Sequence, residues 1–202
     1  MNFTKSDEDY QSKIIGEFFV YFDMAISVIP FGIPKIIYKR NYTELEKRNI
    51  QTLLSGMVAS SLKISFDSLL ADNYKELPEL IKINDNLSKS LDKITEIRNS
   101  FAHGSYRIGW KDFDGNMDKD FFSLRHSKAT KKGYEKRSGI YKISQVENLI
   151  NELRTMQKSY LLIFTIISLK NQNQDFNMYM DILRETLKSI GKLDFKPLLE
   201  EK

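Results

Sequence analysis

An apolar stripe at helical spacing runs along the segment that begins at Pro78. At 100° per residue its members fall within about 80° of one another: Leu80, Ile83, Leu87, Leu91, Ile94 and Phe101. The pattern predicts a long helix whose apolar face packs against other elements, and Gly104 is typical of a helix C-terminus. Helix packing is therefore the main constraint on the fold.

Four other segments carry helical signals, two of them with the spacing of a capping box, at Thr43–Glu46 and at Ser144–Glu147. The predicted helices run from about Asp7 to Val28, ending at "PFGIP", from Thr43 to about Asp72, from Ser144 to about Asn171, and from about Phe176 to Ile190. Between the last two long helices, strand-like patterns flank Asp114-Gly115 and recur in "GIYKIS". The expected fold is all-α. It is one domain over residues 1–202, a bundle of four to five helices with a small β-hairpin and basic loop at residues 105–143.

The composition is that of a soluble globular protein. Of the 202 residues, 41% are hydrophobic and 29% are charged. Cysteine is absent, which excludes disulfides and thiolate metal sites and favours a reducing, cytoplasmic location. The two most apolar segments are "FFVYFDMAISVIPFGIPKII", which contains Asp23 and two prolines, and "YLLIFTIISL", which is too short to cross a bilayer. Both predict buried helices, and no membrane role is expected.

Arg98 lies inside the apolar stripe, between Ile94 and Phe101. A charge on a face that packs against the core needs a counter-charge or an anionic ligand. His103 follows five residues later, about 140° around and about 7.5 Å along an ideal helix, so the two side chains diverge in a straight helix. They meet only if the helix ends near Ala102, or if a second copy of the chain brings its own motif alongside.

This pair permits a chemical and a structural interpretation. An arginine beside a histidine combines an electropositive group with a general acid/base, which is what phosphodiester chemistry requires. In the structural interpretation, the histidine satisfies carbonyl groups at the helix end and the arginine pairs with a carboxylate in the bundle. The pattern alone leaves both interpretations open.

The segment "RNSFAHG" resembles the signature of the HEPN superfamily (higher eukaryotes and prokaryotes nucleotide-binding domains). That signature is an arginine, four to six residues and a histidine, often with asparagine directly after the arginine. Arg98, Asn99 and His103 match it. The resemblance rests on these few residues and on the helical bundle predicted around them. It implies a homodimer with facing motifs and, in many members, a metal-independent RNA endonuclease.

The resemblance also implies a role for each matched residue. His103 would be the general acid/base, Arg98 would stabilise the phosphorane, and Asn99 would orient a phosphate or the imidazole. The RNA 2′-hydroxyl would attack the adjacent phosphate and leave a 2′,3′-cyclic phosphate, with no metal and no cofactor. The family implies a toxin or a phage-defence effector, with an antitoxin or another regulatory protein as partner. Its toxins often carry a tyrosine two residues after the histidine, whereas Tyr106 stands three after His103.

Positive charge collects after this motif. Between Ser105 and Ile143 there are ten basic and five acidic residues, and the densest part is "HSKATKKGYEKR". A mobile basic loop would bind an RNA backbone, and the predicted RNA-binding residues are Tyr106, Arg107, Lys128, Lys131, Lys132, Lys136 and Arg137. The alternative is a solvated loop whose lysines serve solubility. His126, the other histidine, is expected to be a surface or half-buried strand residue.

The sequence thus predicts a dimeric, helical ribonuclease of HEPN type. The alternative from another class is a non-catalytic HEPN-like module that dimerises and binds nucleotide, RNA or a protein, with the same pocket holding an anion without chemistry. A third is a regulatory subunit that uses the basic loop only for docking. No P-loop, no Rossmann fingerprint and no H-E-x-x-H zinc motif occurs in the chain.

Overall fold

The computed structural model describes residues 5–111, 117–130, 133–188, 190 and 195–200, and for residues 108–111, 117–119, 128–130, 133–137, 199 and 200 only the backbone is described. Over this part of the chain the elements are α1 (Lys5–Ser27), α2 (Ile29–Tyr38), α3 (Glu44–Leu54), α4 (Ala59–Asn73), α5 (Pro78–His103), β1 (Ser105–Lys111), β2 (Met117–Thr130), β3 (Gly133–Lys142), α6 (Ile143–Asn171), α7 (Asn177–Leu187) and β4 (Leu199–Glu200). The protein is predominantly helical with a small antiparallel sheet, which agrees with the predicted class in outline.

The chain forms two compact units. The first comprises Met1–Phe22, Asp92–Asn151 and Lys192–Lys202, and the second comprises Asp23–Leu91 and Glu152–Gly191. The division falls within α1, α5 and α6, so three helices each contribute residues to both units.

The first unit is built around aromatic rings from its helices and its sheet. The strands lie in the order β1-β2-β3-β4, and each neighbouring pair is antiparallel. Phe101 of α5 is 5.6 Å from Phe18 of α1 and 5.6 Å from Phe122 of β2, measured between ring centroids. Tyr141 of β3 is 5.6 Å from Phe122 and stacks on Phe195 at 4.7 Å. Burial of these rings joins α1, α5 and the sheet in one core.

The second unit has a helical core. Phe66 of α4 meets Tyr160 and Phe164 of α6 edge-on, with centroids 6.1 and 5.5 Å apart. Gly32 of α2 faces the same rings, and a Cβ there would lie 2.7 Å from the Phe66 ring, so a side chain at this position would push α2 away. These contacts explain why an apolar run that contains two prolines folds as a helix.

The apolar stripe of α5 is confirmed. Its six predicted members are all buried, none more than 8% exposed: Leu80, Ile83, Leu87, Leu91, Ile94 and Phe101. The predicted helices from Pro78, Ser144 and Phe176 correspond to α5, α6 and α7, with boundaries within three residues of those expected.

One predicted helix is divided in two, and one helix was not predicted. The helix expected from Thr43 to Asp72 is divided into α3 and α4 by residues 55–58, where Gly56 lowers helix propensity. The helix predicted to end at about Val28 does end there, at Ser27, but the "PFGIP" segment after it lies within a further helix, α2, which was not predicted. Pro30 is tolerated because the first residues of a helix have no amide bond to lose, and buried neighbours hold the short helix around Pro34.

The capping box predicted at Thr43–Glu46 is confirmed, and the one predicted at Ser144–Glu147 is wrong, because α6 starts at Ile143. The Thr43 hydroxyl accepts from the amide of Glu46 at 3.2 Å, and the Thr43 amide donates to the Glu46 carboxylate at 2.8 Å. At the start of α6, however, the Lys142 amide donates to the Gln145 side chain at 2.8 Å. The helix therefore begins before Ser144, which the sequence had placed at the cap.

The excursion at residues 105–143 is more regular than predicted. The expected basic loop "HSKATKKGYEKR" forms paired strands, because β2 continues to Thr130 and β3 begins at Gly133, opposite it. Its twelve residues include five register pairs, from His126↔Arg137 to Thr130↔Gly133. The backbone pairing of β2 with β3 stabilises strands here, although the polar composition had predicted a loop. The Asp114-Gly115 turn and residues Lys131 and Lys132 lie outside the described residues.

Among the residues that the structure describes, one helical stretch, Lys5–Tyr38, is long and apolar enough to cross a membrane on length and composition alone. The core helix of a soluble protein meets the same criterion, and buried residues of this stretch include Ile15, Phe18, Ile29 and Ile33. The predicted cytoplasmic location stays a prediction.

The junction between α5 and β1 requires a glycine for reasons of space. A Cβ on Gly104 would collide with the carbonyl oxygen of Ser100 and would lie 2.6 Å from that of Arg125 in β2. The backbone at Gly104 is not left-handed, so the predicted glycine stop is confirmed in position but has a different cause. The close approach fixes the end of α5 against the sheet.

We expect Gly104→Ala to lower the free energy of unfolding by about 1–3 kcal/mol, because two backbone carbonyls must move to admit the methyl group. The matched control is Gly16→Ala in α1, where no described atom lies within 4 Å of the added Cβ. That change should raise the free energy of unfolding by about 0.5–1 kcal/mol through helix propensity. Urea denaturation followed by circular dichroism measures both, and equal effects of the two changes would contradict the close approach at Gly104.

Candidate functional site

The side chain of Arg98, near the C-terminal end of α5, packs against two aromatic rings. Its guanidinium carbon lies 5.7 Å from the ring centroid of Phe19 and 5.7 Å from that of Phe22, both on α1. The position follows from the apolar stripe, which turns the Arg98 side chain toward the core, where it is half-buried. Cation–π attraction at such distances partly compensates for the water that the guanidinium loses.

The compensation for burying Arg98 is incomplete. Its Nε atom is buried and has no hydrogen-bond partner among the described residues. Nη1 donates to the side-chain oxygen of Asn99 at 3.4 Å, a long and weak bond. Within the described part of the chain, Arg98 has no carboxylate within salt-bridge distance, so the ion pair of the structural interpretation is not found there. The guanidinium can therefore accept an anionic partner.

Asn99 and His103 share another side of the helix. They are four residues apart in α5, a spacing that places side chains next to each other, and both are exposed. Asn99 is thus a neighbour of both predicted partners, through the bond from Arg98 and through helical spacing to His103. His103 is the last residue of α5, directly before the bend at Gly104.

Within one chain the structure does not bring Arg98 and His103 together. The helix continues through His103, so the divergence of about 140° for residues five apart applies. The helix does end near Ala102, as predicted, but His103 is still its last helical residue, so this end does not turn the imidazole toward Arg98. The other route, a second copy of the chain, stays a prediction.

The predicted RNA-binding residues lie on the sheet that follows this helix end. Tyr106 and Arg107 are exposed on β1, and the Tyr106 ring is 6.5 Å from that of Phe101. Lys128 is on β2, and Lys136 and Arg137 are on β3, opposite Ser127 and His126. Lys131 and Lys132 lie outside the described residues. Gly104 joins α5 to β1, and β1 pairs with β2. The basic ribbon, which is the part of β2 and β3 within residues 126–137, therefore belongs to the sheet that begins at the helix end carrying His103.

The second histidine occupies a different place. His126 is half-buried on β2, as predicted, and its register partner is Arg137.

Over the described ranges, no group of three or more His, Asp or Glu side chains is placed to hold a metal ion. Comparisons with protein-family models, with curated proteins and with solved structures found no match.

Sequence reasoning missed two features of the described residues. It did not connect Phe19 and Phe22 of α1 with Arg98. A signal was present, since an arginine inside an apolar stripe must meet whatever packs against that stripe. It also passed over Lys35, a single charge in the apolar run of α2, which proves to line a pocket.

We expect Arg98→Met to lower the free energy of unfolding by no more than about 1 kcal/mol. The change loses a cation–π interaction of about 0.5–2 kcal/mol but also removes a buried, unbonded Nε that costs about 1–3 kcal/mol. Urea denaturation measures the difference. Arg98→Ala, which also removes the stem that covers the two rings, should be clearly less stable. A loss of about 3–5 kcal/mol in Arg98→Met would instead indicate a broken buried ion pair.

Proposed function

We propose that the chain is a metal-independent RNA endonuclease of HEPN type that acts as a homodimer. The observation that carries this proposal is the half-buried guanidinium of Arg98, which lies on two phenylalanine rings without a carboxylate partner in the described part of the chain. A cation held in a partly desolvated place attracts an anion more strongly than one in water. It is also preorganised, which is what stabilisation of a developing negative charge requires.

The reaction assigns one step to each residue of the motif. The imidazole of His103 accepts the proton of the RNA 2′-hydroxyl, whose oxygen attacks the adjacent phosphorus. The guanidinium of Arg98 binds the non-bridging oxygens as negative charge builds up on the phosphorane. The bond to the 5′-oxygen then breaks as this oxygen takes a proton from the protonated imidazole of His103, and the products are a 2′,3′-cyclic phosphate and a 5′-hydroxyl. Asn99 holds the phosphate or the imidazole in position.

The divergence of Arg98 and His103 supports the homodimer. If one subunit cannot present both groups to one phosphate, facing motifs from two subunits can, with Arg98 from one and His103 from the other. Exposed apolar side chains on α1, such as Val20 and Met24 at 57% and 40% exposure, offer surface that a second copy could cover.

The basic ribbon formed by β2 and β3 supports an RNA substrate. Positive charge along residues 126–137 would bind the phosphate backbone without reading sequence, and the exposed ring of Tyr106 could stack on a base. The cytoplasmic toxin or phage-defence role, with an antitoxin or another regulatory protein as partner, rests on the HEPN resemblance of "RNSFAHG".

The alternative is a non-catalytic HEPN-like module for dimerisation or for binding nucleotide or RNA. The same divergence favours it, because an Arg98 that binds a phosphate without an imidazole beside it would hold the ligand and leave it intact. RNA binding without cleavage by the parent protein, under every condition tried, would support this alternative.

We expect His103→Ala to lower the rate of RNA cleavage about 10²- to 10⁴-fold, the usual contribution of a general acid/base. The assay follows a labelled single-stranded RNA in the presence of EDTA and identifies the cyclic phosphate product. Single-stranded DNA of the same sequence should resist, because it lacks the attacking hydroxyl. The matched control is His126→Ala, which removes the other histidine. Cleavage by His103→Ala at the parental rate would contradict the assignment.

Mixing two inactive variants tests whether a site is shared between subunits. If each site takes Arg98 from one chain and His103 from the other, a heterodimer of Arg98→Met with His103→Ala has one intact site. Random exchange should then restore about a quarter of the parental activity. A site built within one subunit would show no recovery.

We expect that replacing basic residues of the ribbon with neutral ones weakens RNA binding and reduces the dependence of the affinity on salt. Replacing Lys128, Lys136 and Arg137 by glutamine should lower the slope of log affinity against log salt by up to about 2, at about 0.7 per lost phosphate contact with single strands. Fluorescence anisotropy in the His103→Ala background measures binding without cleavage. The matched control removes equal charge from the exposed side of α5: Lys82, Lys89 and Lys93. Equal losses from both triple variants would contradict a role for the ribbon.

A further inference from the structure

The second unit contains a polar pocket that the proposed ribonuclease does not use. It has a volume of about 270 Å³ and lies where α2 ends, where the chain passes to α3, and where α6 ends. Lys39 ends α2 with a left-handed backbone, φ 50°, and turns the following residues toward the pocket. The lining residues are Lys35, Arg40, Asn41, Tyr42, Ser168, Asn171 and Gln172.

Lys35 brings a positive charge into this pocket. It is half-buried on α2, between Ile33 and Ile36, and burial lowers the pKa of its amine. The ammonium donates to the Ser168 hydroxyl at 2.7 Å. In the described residues no carboxylate lies within salt-bridge distance of Lys35. A partly desolvated ammonium with one neutral partner is a favourable place for an anion.

The walls around Lys35 are held by their own hydrogen bonds. The Tyr74 hydroxyl donates to the side-chain oxygen of Asn171 at 2.7 Å, and the Asn171 amide donates to the carbonyl of Lys35 at 2.8 Å. Arg40 donates to Glu46 at 2.6 Å and to the carbonyl of Asn41 at 2.8 Å. Since Glu46 balances Arg40, the uncompensated charge belongs to Lys35. A prearranged pocket loses little entropy when a ligand binds.

The chemistry of the lining selects the ligand class. Every lining side chain carries a hydrogen-bond donor and none carries a carboxylate. The volume lies just below the range of about 300–1,000 Å³ that is typical of drug-sized ligands. We infer that this pocket binds the phosphate group of a small ligand, with Lys35 as its charge partner and with Gln172 and Asn41 completing the donor set. Free phosphate and a small phosphate monoester share this chemistry.

Isothermal titration calorimetry at constant ionic strength tests this inference, with inorganic phosphate in one arm and adenosine monophosphate in the other. Lys35→Met should weaken binding about tenfold or more, because a charged hydrogen bond is lost. Gln172→Glu should weaken it about as much, because an isosteric carboxylate then faces the anion. Gln172 is exposed, so this second variant tests the pocket even if Lys35→Met does not fold.

Two controls identify the site. Gln174→Glu adds the same charge two residues away, outside the pocket lining, and should bind as the parent does. Arg98→Met removes the proposed ribonuclease site and should also leave this binding unchanged, so failure of either proposal can be recognised separately.

Tighter binding of the nucleotide than of free phosphate would identify a nucleotide ligand, and equal binding would identify the phosphate alone; both support the inference. No binding by the parent in either arm, or equal binding by the parent and Gln172→Glu, would overturn it.

Discussion

The packing of Phe101 is the interaction on which the first unit depends. This buried ring contacts four others, from α1, β1, β2 and the segment before β4: Phe18, Tyr106, Phe122 and Phe195, with centroids 5.6 to 6.5 Å away. It lies in sequence between Arg98 and His103, so the same contacts that assemble the core fix the helix turn that presents both groups. Gly104 completes this arrangement by letting the carbonyl of Arg125 approach the helix end. The positions of the candidate site residues are therefore set by core packing at the end of α5.

The local features of the sequence predicted the structure well. The stripe of α5 and the cap at Thr43 were correct because helical periodicity and capping chemistry depend on neighbours within one turn. The break between α3 and α4 was missed because apolar residues continue across it. None of the α3 residues is buried, so no burial of apolar surface would stabilise α3 as a straight continuation of α4. That difference depends on tertiary contacts, which the pattern does not contain.

Several of the features that were missed depend on distant partners. Gly32 is compatible with a helix because aromatic rings of α4 and α6 occupy the space beside it, and the turn residues at "PFGIP" give no hint of those rings. The strands from His126 to Arg137 form because two segments pair, although neither has strong strand propensity. In the site, the sequence located Arg98, Asn99 and His103, and it predicted that Arg98 faces the core. It could not identify the two rings on α1 that receive the guanidinium, because they are about 80 positions away in the chain.

The short strand β4 leaves part of the sheet edge uncovered. It pairs only with Gly139 and Ile140, and over the described residues no strand lies beside β3 from Gly133 to Arg137. Such an edge invites another polypeptide to add a strand, and natural proteins discourage this with charged residues. Glu135, Lys136 and Arg137 stand at that position in this sequence. Charged residues at such sequence positions disfavour the addition of a strand from another chain at this edge.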